Sequence, residues 1–378
     1  MMQYIHFRQK VATNGDKIIK TAGGENNIAP INNAASEIRS QRICNKLHAN
    51  YIDNYIDNDD VITQYLRTFV YYTKARSNVY IFAFATLISL ILGFHGNAVD
   101  YGIAVGVICA SYFMALAAYI YNDITDFEVD KINKTNRPSV TGKATKRQLI
   151  IIVSILNGVA LILTSFAGLN AIWISVLFIT LGIAYSHRSL NLKDKFPLKT
   201  IITAAGAGLL SLLGGTAALT ITNSNNDGNN SFSFLSMLPI VYAALFFFAF
   251  FFILGPLGDI GDLKGDRIVG RRTFPIVLGI RSTITMMLSV PLIMMLMATS
   301  AAYYVYSNDI NISNDSKSGT ISINILGIIL IVGTCITVLA FILRINKKVN
   351  DTLTIKAMRP KMRYLHILLQ VSLLVTFL

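Results

Sequence analysis

Nine stretches of the chain are apolar enough to be read as membrane-crossing helices, and no other feature restricts the possible fold as strongly. A crossing helix needs about 20 mostly apolar residues. The stretches run over about 79–94, 101–121, 149–166, 171–185, 200–221, 237–254, 283–303, 321–343 and 364–378, the fourth and ninth being short. Composition agrees. Of the 378 residues, 53% are hydrophobic and 14% charged, against about 25% charged in an ordinary soluble domain. So few polar residues cannot cover a globule of this size, which excludes a soluble domain. A disordered scaffold, poor in apolar residues and rich in charge, is excluded too.

The net charge of +13 is distributed in a pattern. Every one of the 33 lysines and arginines except Lys317 lies in residues 1–78 or in the loops after spans two, four, six and eight. Cytoplasmic loops carry the excess of Lys and Arg. The N-terminus and the even loops are therefore assigned to the cytoplasm, and the chain is expected to be a multi-pass protein of the cell membrane. The basic excess marks a membrane face and implies no nucleic acid partner. The outer loops 222–236 and 304–320 are rich in Asn and Ser. Their N-x-S tripeptides at Asn229, Asn311 and Asn314 fit glycan acceptors, or equally a chance match in an Asn-rich loop. Cys44, Cys109 and Cys335 have the spacing of neither a zinc site nor a disulfide framework.

Residues 1–60 are polar and lack a clear period, as in a loosely ordered extension; the membrane domain is expected over 61–378. Within 61–76, Leu66, Phe69, Val70 and Tyr72 alternate with Arg67, Lys74 and Arg76. This suits an amphipathic helix in the membrane interface, or the first turns of span one.

Two acidic runs carry the chemistry. The loop after span two contains Asn122, Asp123, Asp126 and Asp130; the loop after span six contains Asp259, Asp262 and Asp266. Both place aspartates at i, i+3 and i+7. At 100° per residue these stay within about 60° of one another, so each run presents one carboxylate stripe. Like charges at helical neighbour spacing repel, and ionisable groups at membrane depth are costly. A divalent cation relieves both penalties. Mg²⁺ takes one or two carboxylates and bridges to substrate phosphates, so two facing stripes suit two Mg²⁺ ions with a diphosphate between them. A solvated loop with scattered acids accounts for one such run, but poorly for two of identical spacing on one membrane face.

Basic residues follow each stripe: Lys131, Lys134 and Arg137 after the first, and Lys264, Arg267, Arg271 and Arg272 after the second. The loop after span four adds Arg188 and Lys193 behind Tyr185 and Ser186. Arg and Lys suit phosphate. Sidedness alone accounts for Lys134, Lys143, Lys146, Arg147, Arg271 and Arg272, whereas Lys131, Arg137, Arg188 and Lys193 are assigned to diphosphate binding.

These residues resemble the UbiA superfamily of intramembrane prenyltransferases. Asn122-Asp123…Asp126…Asp130 is similar to the family's N-D-x-x-D-x-x-x-D run, and Asn133…Arg137-Pro138 to its N-x-x-x-R-P continuation. Tyr185-Ser186 with Leu192-Lys193 resembles its Y-S…L-K loop, and Gly265-Asp266…Gly270…Thr273…Pro275 its G-D-x-x-x-G-x-x-T-x-P sequence. The likeness covers about 70–378. Where the family often has Arg-Pro before span one, this chain has Arg76-Ser77-Asn78. The resemblance implies an all-α bundle of nine transmembrane helices around a central cavity, with a cytoplasmic cap. It implies Mg-dependent transfer of a prenyl group from a prenyl diphosphate. Asn122, Asp123, Asp126, Asp130, Asp259, Asp262 and Asp266 would be the metal set, with Asp126, Asp130, Asp262 and Asp266 catalytic. Lys131, Arg137, Tyr185, Arg188 and Lys193 would bind the diphosphate, and Asn78 would contact the acceptor or cap a helix. Phe246, Phe247, Phe248, Phe250, Phe251 and Phe252 would pack against lipid or helices, some lining a tail tunnel.

The pattern from Asp126 to Asn133 and from Gly265 to Gly279 looks most like the archaeal branch that makes glycerol-phosphate ether lipids. A geranylgeranyl donor and a membrane lipid acceptor are expected. An aromatic acceptor of the quinone, tocopherol or chlorophyll type is the alternative. A different class, an ion-coupled transporter, also uses intramembrane carboxylates. Acids at span ends on one face, beside basic residues, favour the phosphate-binding enzyme.

Overall fold

The computed structural model describes residues 61–94, 100–132, 137–187, 189–224, 234–312, 324–347 and 352–377. The expected extension 1–60, Arg188, Asn229 and Asn314 lie outside them; Asn311 is in a helical backbone. The regular elements of the described residues are all helices, with no strand among them. In chain order the helices are α1 (Val61–Ala75), α2 (Tyr80–Phe94), α3 (Tyr101–Thr125), α4 (Phe127–Ile132), α5 (Lys146–Ser165), α6 (Leu169–Ser186) and α7 (Leu198–Ser224). There follow α8 (Phe234–Gly261), α9 (Leu263–Val269), α10 (Phe274–Val277), α11 (Ile280–Ile312), α12 (Ile325–Lys347) and α13 (Thr352–Phe377). One compact unit spans Tyr65–Leu378.

Eight helices are long and apolar enough to cross a membrane by themselves. The ninth expected span is the apolar second half of α13, whose first half carries Arg359, Lys361 and Arg363. The α1 segment is a helix of its own, closed off by a 3₁₀ turn over Ser77–Val79, rather than the start of α2. It buries Thr68 and Tyr72 and leaves Leu66, Val70 and Tyr71 exposed, the pattern of a helix with one apolar face towards lipid. Arg76 departs from that pattern and turns inward.

Two apolar cores fill the bundle. One joins α2, α3, α5, α6 and α7 around Phe82, Met114, Leu116, Ile120 and Leu210. The other joins α8, α11, α12 and α13 around Phe246, Phe250, Met287, Ile342 and Met362. They meet at Phe82, whose ring centroid lies 5.8 Å from that of Phe247 and 4.9 Å from that of Phe251. Side chains such as Ile155, Ile162, Trp173, Leu296 and Ile329 point outward. In lipid this exposure costs nothing, and it explains why the sequence is apolar on all sides of many helices.

Helix α7 runs between α2 and α8, and glycines allow the approach. An ideal Cβ on Gly214 would stand 2.0 Å from the carbonyl oxygen of Thr86 on α2. Small residues let membrane helices pack backbone to backbone. Thr86 Oγ1 lies 2.7 Å from Ser111 Oγ on α3 and 2.8 Å from Leu210 O on α7, so one hydroxyl ties three helices. Gly214→Ala therefore forces α2 away from α7. It should destabilise the purified protein by about 2 kcal/mol, within the usual range for overpacking, read as a lower midpoint of thermal unfolding in detergent. Gly158, whose Cβ would meet nothing within 4 Å, should accept Ala with little change.

Candidate active site

Each acidic run straddles a helix break at its middle aspartate. Asn122 and Asp123 end α3, Asp126 follows with φ −94° and ψ 9°, and Asp130 lies in α4. Asp259 ends α8, Asp262 follows with φ −104° and ψ 11°, and Asp266 lies in α9. The stripe was expected on one unbroken helix. It survives the break because the i→i−4 ladder continues: Asp126 N donates to Asn122 O at 2.8 Å and Asp130 N to Asp126 O at 2.9 Å. In the second run Asp262 N donates to Gly258 O at 3.0 Å and Asp266 N to Asp262 O at 3.1 Å.

The two stripes face each other across one cavity of about 270 Å³. Asn122, Asp126 and Asp130 line it from one side, and Asp259, Asp262 and Asp266 from the other. Arg271 measures the separation. Its guanidinium pairs with Asp126 through Nη2 and stands 3.5 Å from Asp266 through Nη1. A single side chain thus spans both runs. The deeper lining is apolar and comes from Ile81, Phe82, Phe178, Phe251 and Leu254. Of the α8 phenylalanines only Phe251 lines this cavity, while Phe246, Phe247 and Phe250 are buried in the cores.

Basic side chains neutralise the acids. Arg76 donates to Asp123 through Nε at 3.1 Å, and Arg137 pairs with both Asp123, at 2.9 Å, and Asp130. Lys193 Nζ stands 2.8 Å from Asp126, and Lys199 Nζ 2.6 Å from Asp259 and 3.6 Å from Asp266. Arg271 also donates through Nε to Asp194 at 2.7 Å. Burial raises the Asp126 carboxyl, but Arg271 and Lys193 outweigh it and hold the group below the usual carboxylate range. Asp130 is different. Burial pushes it up to about 7; Arg137 opposes the rise, while Asp123 and Asp126 add to it. Asp266 is raised as well, chiefly by burial, with Lys199 pulling the other way.

A cap closes over the mouth from two loops. Between α6 and α7, Lys193 donates to Thr125 Oγ1 at 2.6 Å, and Ser186 Oγ donates to Asn122 Oδ1 at 3.2 Å. Between α9 and α10, Gly270 adopts φ 75° and reverses the chain, so that Arg271 N donates back to Asp266 O at 2.9 Å. Glycine suits this left-handed position because it has no Cβ. The reversal sends the Arg271 side chain inward. The loops join where Arg272 N donates to Asp194 O at 3.2 Å and Phe196 meets Phe274 edge to face at 4.8 Å.

Of the residues singled out from sequence, Asn78, Asn122, Asp126, Asp130, Arg137 and Tyr185 share the cavity lining with Asp259, Asp262 and Asp266. Lys193 is buried against Asp126. Asp123 lies off the lining, fully buried in the grip of Arg76 and Arg137. Lys131 is exposed on α4 and lines nothing in the cavity. Arg271, read from sequence as a sidedness residue, sits only 8% exposed at the centre of the ionic lattice. Arg76, Lys199, Arg359 and Arg363 also line the cavity unforeseen. The reversal built around Gly270 was the readable signal for Arg271.

Among the described residues no three His, Cys, Asp or Glu side chains converge into a ready-made metal cage. The chemistry of the donor set still fits a cation. Asp259 Oδ2 and Asp266 Oδ2 are buried with no hydrogen-bond partner, the second with Lys199 Nζ 3.6 Å away. Buried oxygens left without a hydrogen bond are costly, a cost that a cation joining them relieves.

Two carboxylate stripes and a set of basic side chains thus close over an apolar cavity in a helical membrane bundle, a setting that can hold a charged group beside an apolar one. The profile of the UbiA prenyltransferase family matches residues 79–312, well over half of the chain, which therefore belongs to that family. A digeranylgeranylglyceryl phosphate synthase of Sulfurisphaera tokodaii is 28% identical over 199 residues; the match takes in 52% of this chain and 64% of that protein, slightly under two thirds of its length. Two solved structures share the fold. A digeranylgeranylglyceryl phosphate synthase in membranes superposes with a TM-score of 0.59 at 19% identity, over 82% of this chain and 98% of the other. A UbiA homologue from Archaeoglobus fulgidus, bound to DMAPP and Mg²⁺, gives 0.52 at 16% identity, over 80% and 98%.

The Arg271 assignment has a measurable consequence. Arg271→Ala strips counter-charge from Asp126, Asp194 and Asp266 at once. Removing one partner of a buried ion pair costs about 3–5 kcal/mol, so unfolding should begin at a markedly lower temperature. Arg272, whose side chain is exposed, should tolerate Ala within about 0.5 kcal/mol.

Proposed function

We propose that the protein transfers a geranylgeranyl group from its diphosphate to a glycerol-phosphate ether lipid, with Mg²⁺, at the basic and cytoplasmic face of the membrane. The observation that carries this reading is the convergence of two aspartate stripes within the span of one guanidinium, above an apolar cavity. The synthase similarity supports the acceptor class, and the ligands of the Archaeoglobus homologue support the metal and the diphosphate. A lateral sorting of basic residues supports the orientation.

Asn122, Asp126 and Asp130 would hold one Mg²⁺, and Asp259, Asp262 and Asp266 a second. Bound there, Mg²⁺ supplies Lewis acidity, neutralising the diphosphate and making it a better leaving group. The chain's own groups do the rest. Lys193, Arg137 and Arg271 stand against the same carboxylates, ready to turn to phosphate oxygens as charge grows on them. Tyr185 offers a hydroxyl at the same mouth. Asp123 acts indirectly, by fixing Arg76 and Arg137. Ile81, Phe82, Phe251 and Leu254 keep water from the allylic carbon, which would otherwise be captured as an alcohol. In the reaction the C–O bond to diphosphate breaks, the acceptor hydroxyl oxygen bonds to the same carbon, and its proton leaves.

The test is incubation of the purified protein with geranylgeranyl diphosphate, Mg²⁺ and a glycerol-phosphate ether, with the product identified by mass spectrometry. The prenylated ether should form and should vanish with EDTA. Asp126→Asn and Asp262→Asn should each lower turnover at least about 100-fold, the scale of losing one charge-stabilising group, while the protein stays folded. Undiminished turnover in either variant sinks the assignment. Transfer confined to aromatic acceptors sinks the acceptor class but not the reaction.

A further inference from the structure

The cations of the central cavity fall into two sets. Arg76, Arg137, Lys193, Lys199 and Arg271 each close on at least one aspartate. Arg359 and Arg363, one turn apart on α13, also line the cavity, yet among the described residues neither forms an ion pair with a carboxylate. Arg363 is half-buried. The ionisable side chains around it are Arg359 and Arg76, of its own sign, and Tyr119 and Tyr80. Arg76 in turn lies over the Tyr119 ring at 5.1 Å. Arg359 reaches α8 where Gly258 leaves room: an ideal Cβ there would stand 2.8 Å from Nη2 of Arg359. That position is one residue before Asp259.

Arg359 is exposed and Arg363 half-buried. Two like charges one turn apart at a cavity wall, without an ion pair to a carboxylate among the described residues, repel each other, and an anion arriving between them relieves the repulsion. The diphosphate already has its own partners in the five cations paired with the stripes. Arg363 stands apart from the carboxylates, near Tyr119, Tyr80 and Arg76, on the side where α13 packs against α2. Asn78 lines the cavity as well. We propose that Arg363 and Arg359 form a second anion subsite, which holds the phosphate head of the acceptor while the carboxylate stripes hold the diphosphate of the donor. This rests on the prenyl-transfer reading above and assigns its acceptor selectivity to α13. A planar guanidinium grips phosphate through paired hydrogen bonds. Holding the head at a fixed point would place the acceptor hydroxyl opposite the leaving diphosphate, a positional gain rather than a chemical one.

The experiment compares a prenyl ether of glycerol phosphate with the same ether lacking its phosphate, using full-length protein in detergent. Two quantities are read: steady-state transfer from geranylgeranyl diphosphate, and direct binding of each radiolabelled ether without donor. Wild type should bind the phosphorylated ether more tightly. Arg363→Gln should raise its KM and its Kd at least about tenfold, the loss expected of one charge-assisted hydrogen bond. The KM for donor and the affinity for the unphosphorylated ether should stay within about twofold, and Arg363→Lys should recover part of the loss. Arg359→Gln should act in the same direction. The midpoint of thermal unfolding of the Arg363→Gln protein in detergent reports whether its fold is intact. If Arg363→Gln keeps the full preference for phosphate, the subsite is wrong. If donor KM rises as much as acceptor KM, the arginines belong to the diphosphate and the subsite is again wrong. If wild type prefers the phosphorylated ether, Arg363→Gln loses that preference and neither makes product, the subsite stands and the transfer reading fails.

Discussion

Carboxylates sunk into the mouth of a membrane bundle must be answered by positive charge, and that requirement organises the rest of the molecule. Asp123, Asp126, Asp130, Asp259 and Asp266 are all buried. An isolated ion in such a setting costs several kcal/mol. Here each has a cation within reach, and Arg271 serves three acids from different segments. Such a lattice adds little net stability, since desolvation offsets attraction. What it does is fix where two distant pieces of chain stand relative to each other. The α3–α4 junction, the α6–α7 loop and the α9–α10 loop are held in register by these charges, with the Phe196–Phe274 contact joining the two loops.

The bundle beneath supplies what the lattice cannot. Close approach of α2 and α7 at Gly214 sets the spacing of the helices that carry the cavity walls. The two apolar cores meet at Phe82 and Phe251, and the cavity opens beside that seam. Its polar end and its apolar end therefore come from different physics. Aspartates at helix breaks make the first; aromatic and aliphatic side chains that already serve the cores make the second.

Much of this was legible in the residues. The repeated i, i+3, i+7 spacing marks two carboxylate runs, and both line the cavity. Helix breaks at Asp126 and Asp262 were not legible, because Ile, Thr and Leu around them favour no particular turn. The counter-ions were the larger gap. A lysine or arginine that marks a membrane face looks much the same in sequence as one that turns inward: Lys199 was indistinguishable from Lys195, only the glycine before it set Arg271 apart from Arg272, and Lys131 looked functional but is exposed. The basic first half of α13 likewise looked like a flank of a short span. Only packing against α8 shows that Arg359 reaches the cavity.

The guanidinium shared by Asp126 and Asp266 is also a fastener between halves, since α3 belongs to one apolar core and α8 with its extension α9 adjoins the other. Any ligand that takes Asp126 away from it loosens that fastener. Occupancy and the width of the mouth are then thermodynamically linked, and by reciprocity whatever spreads the halves also favours loading.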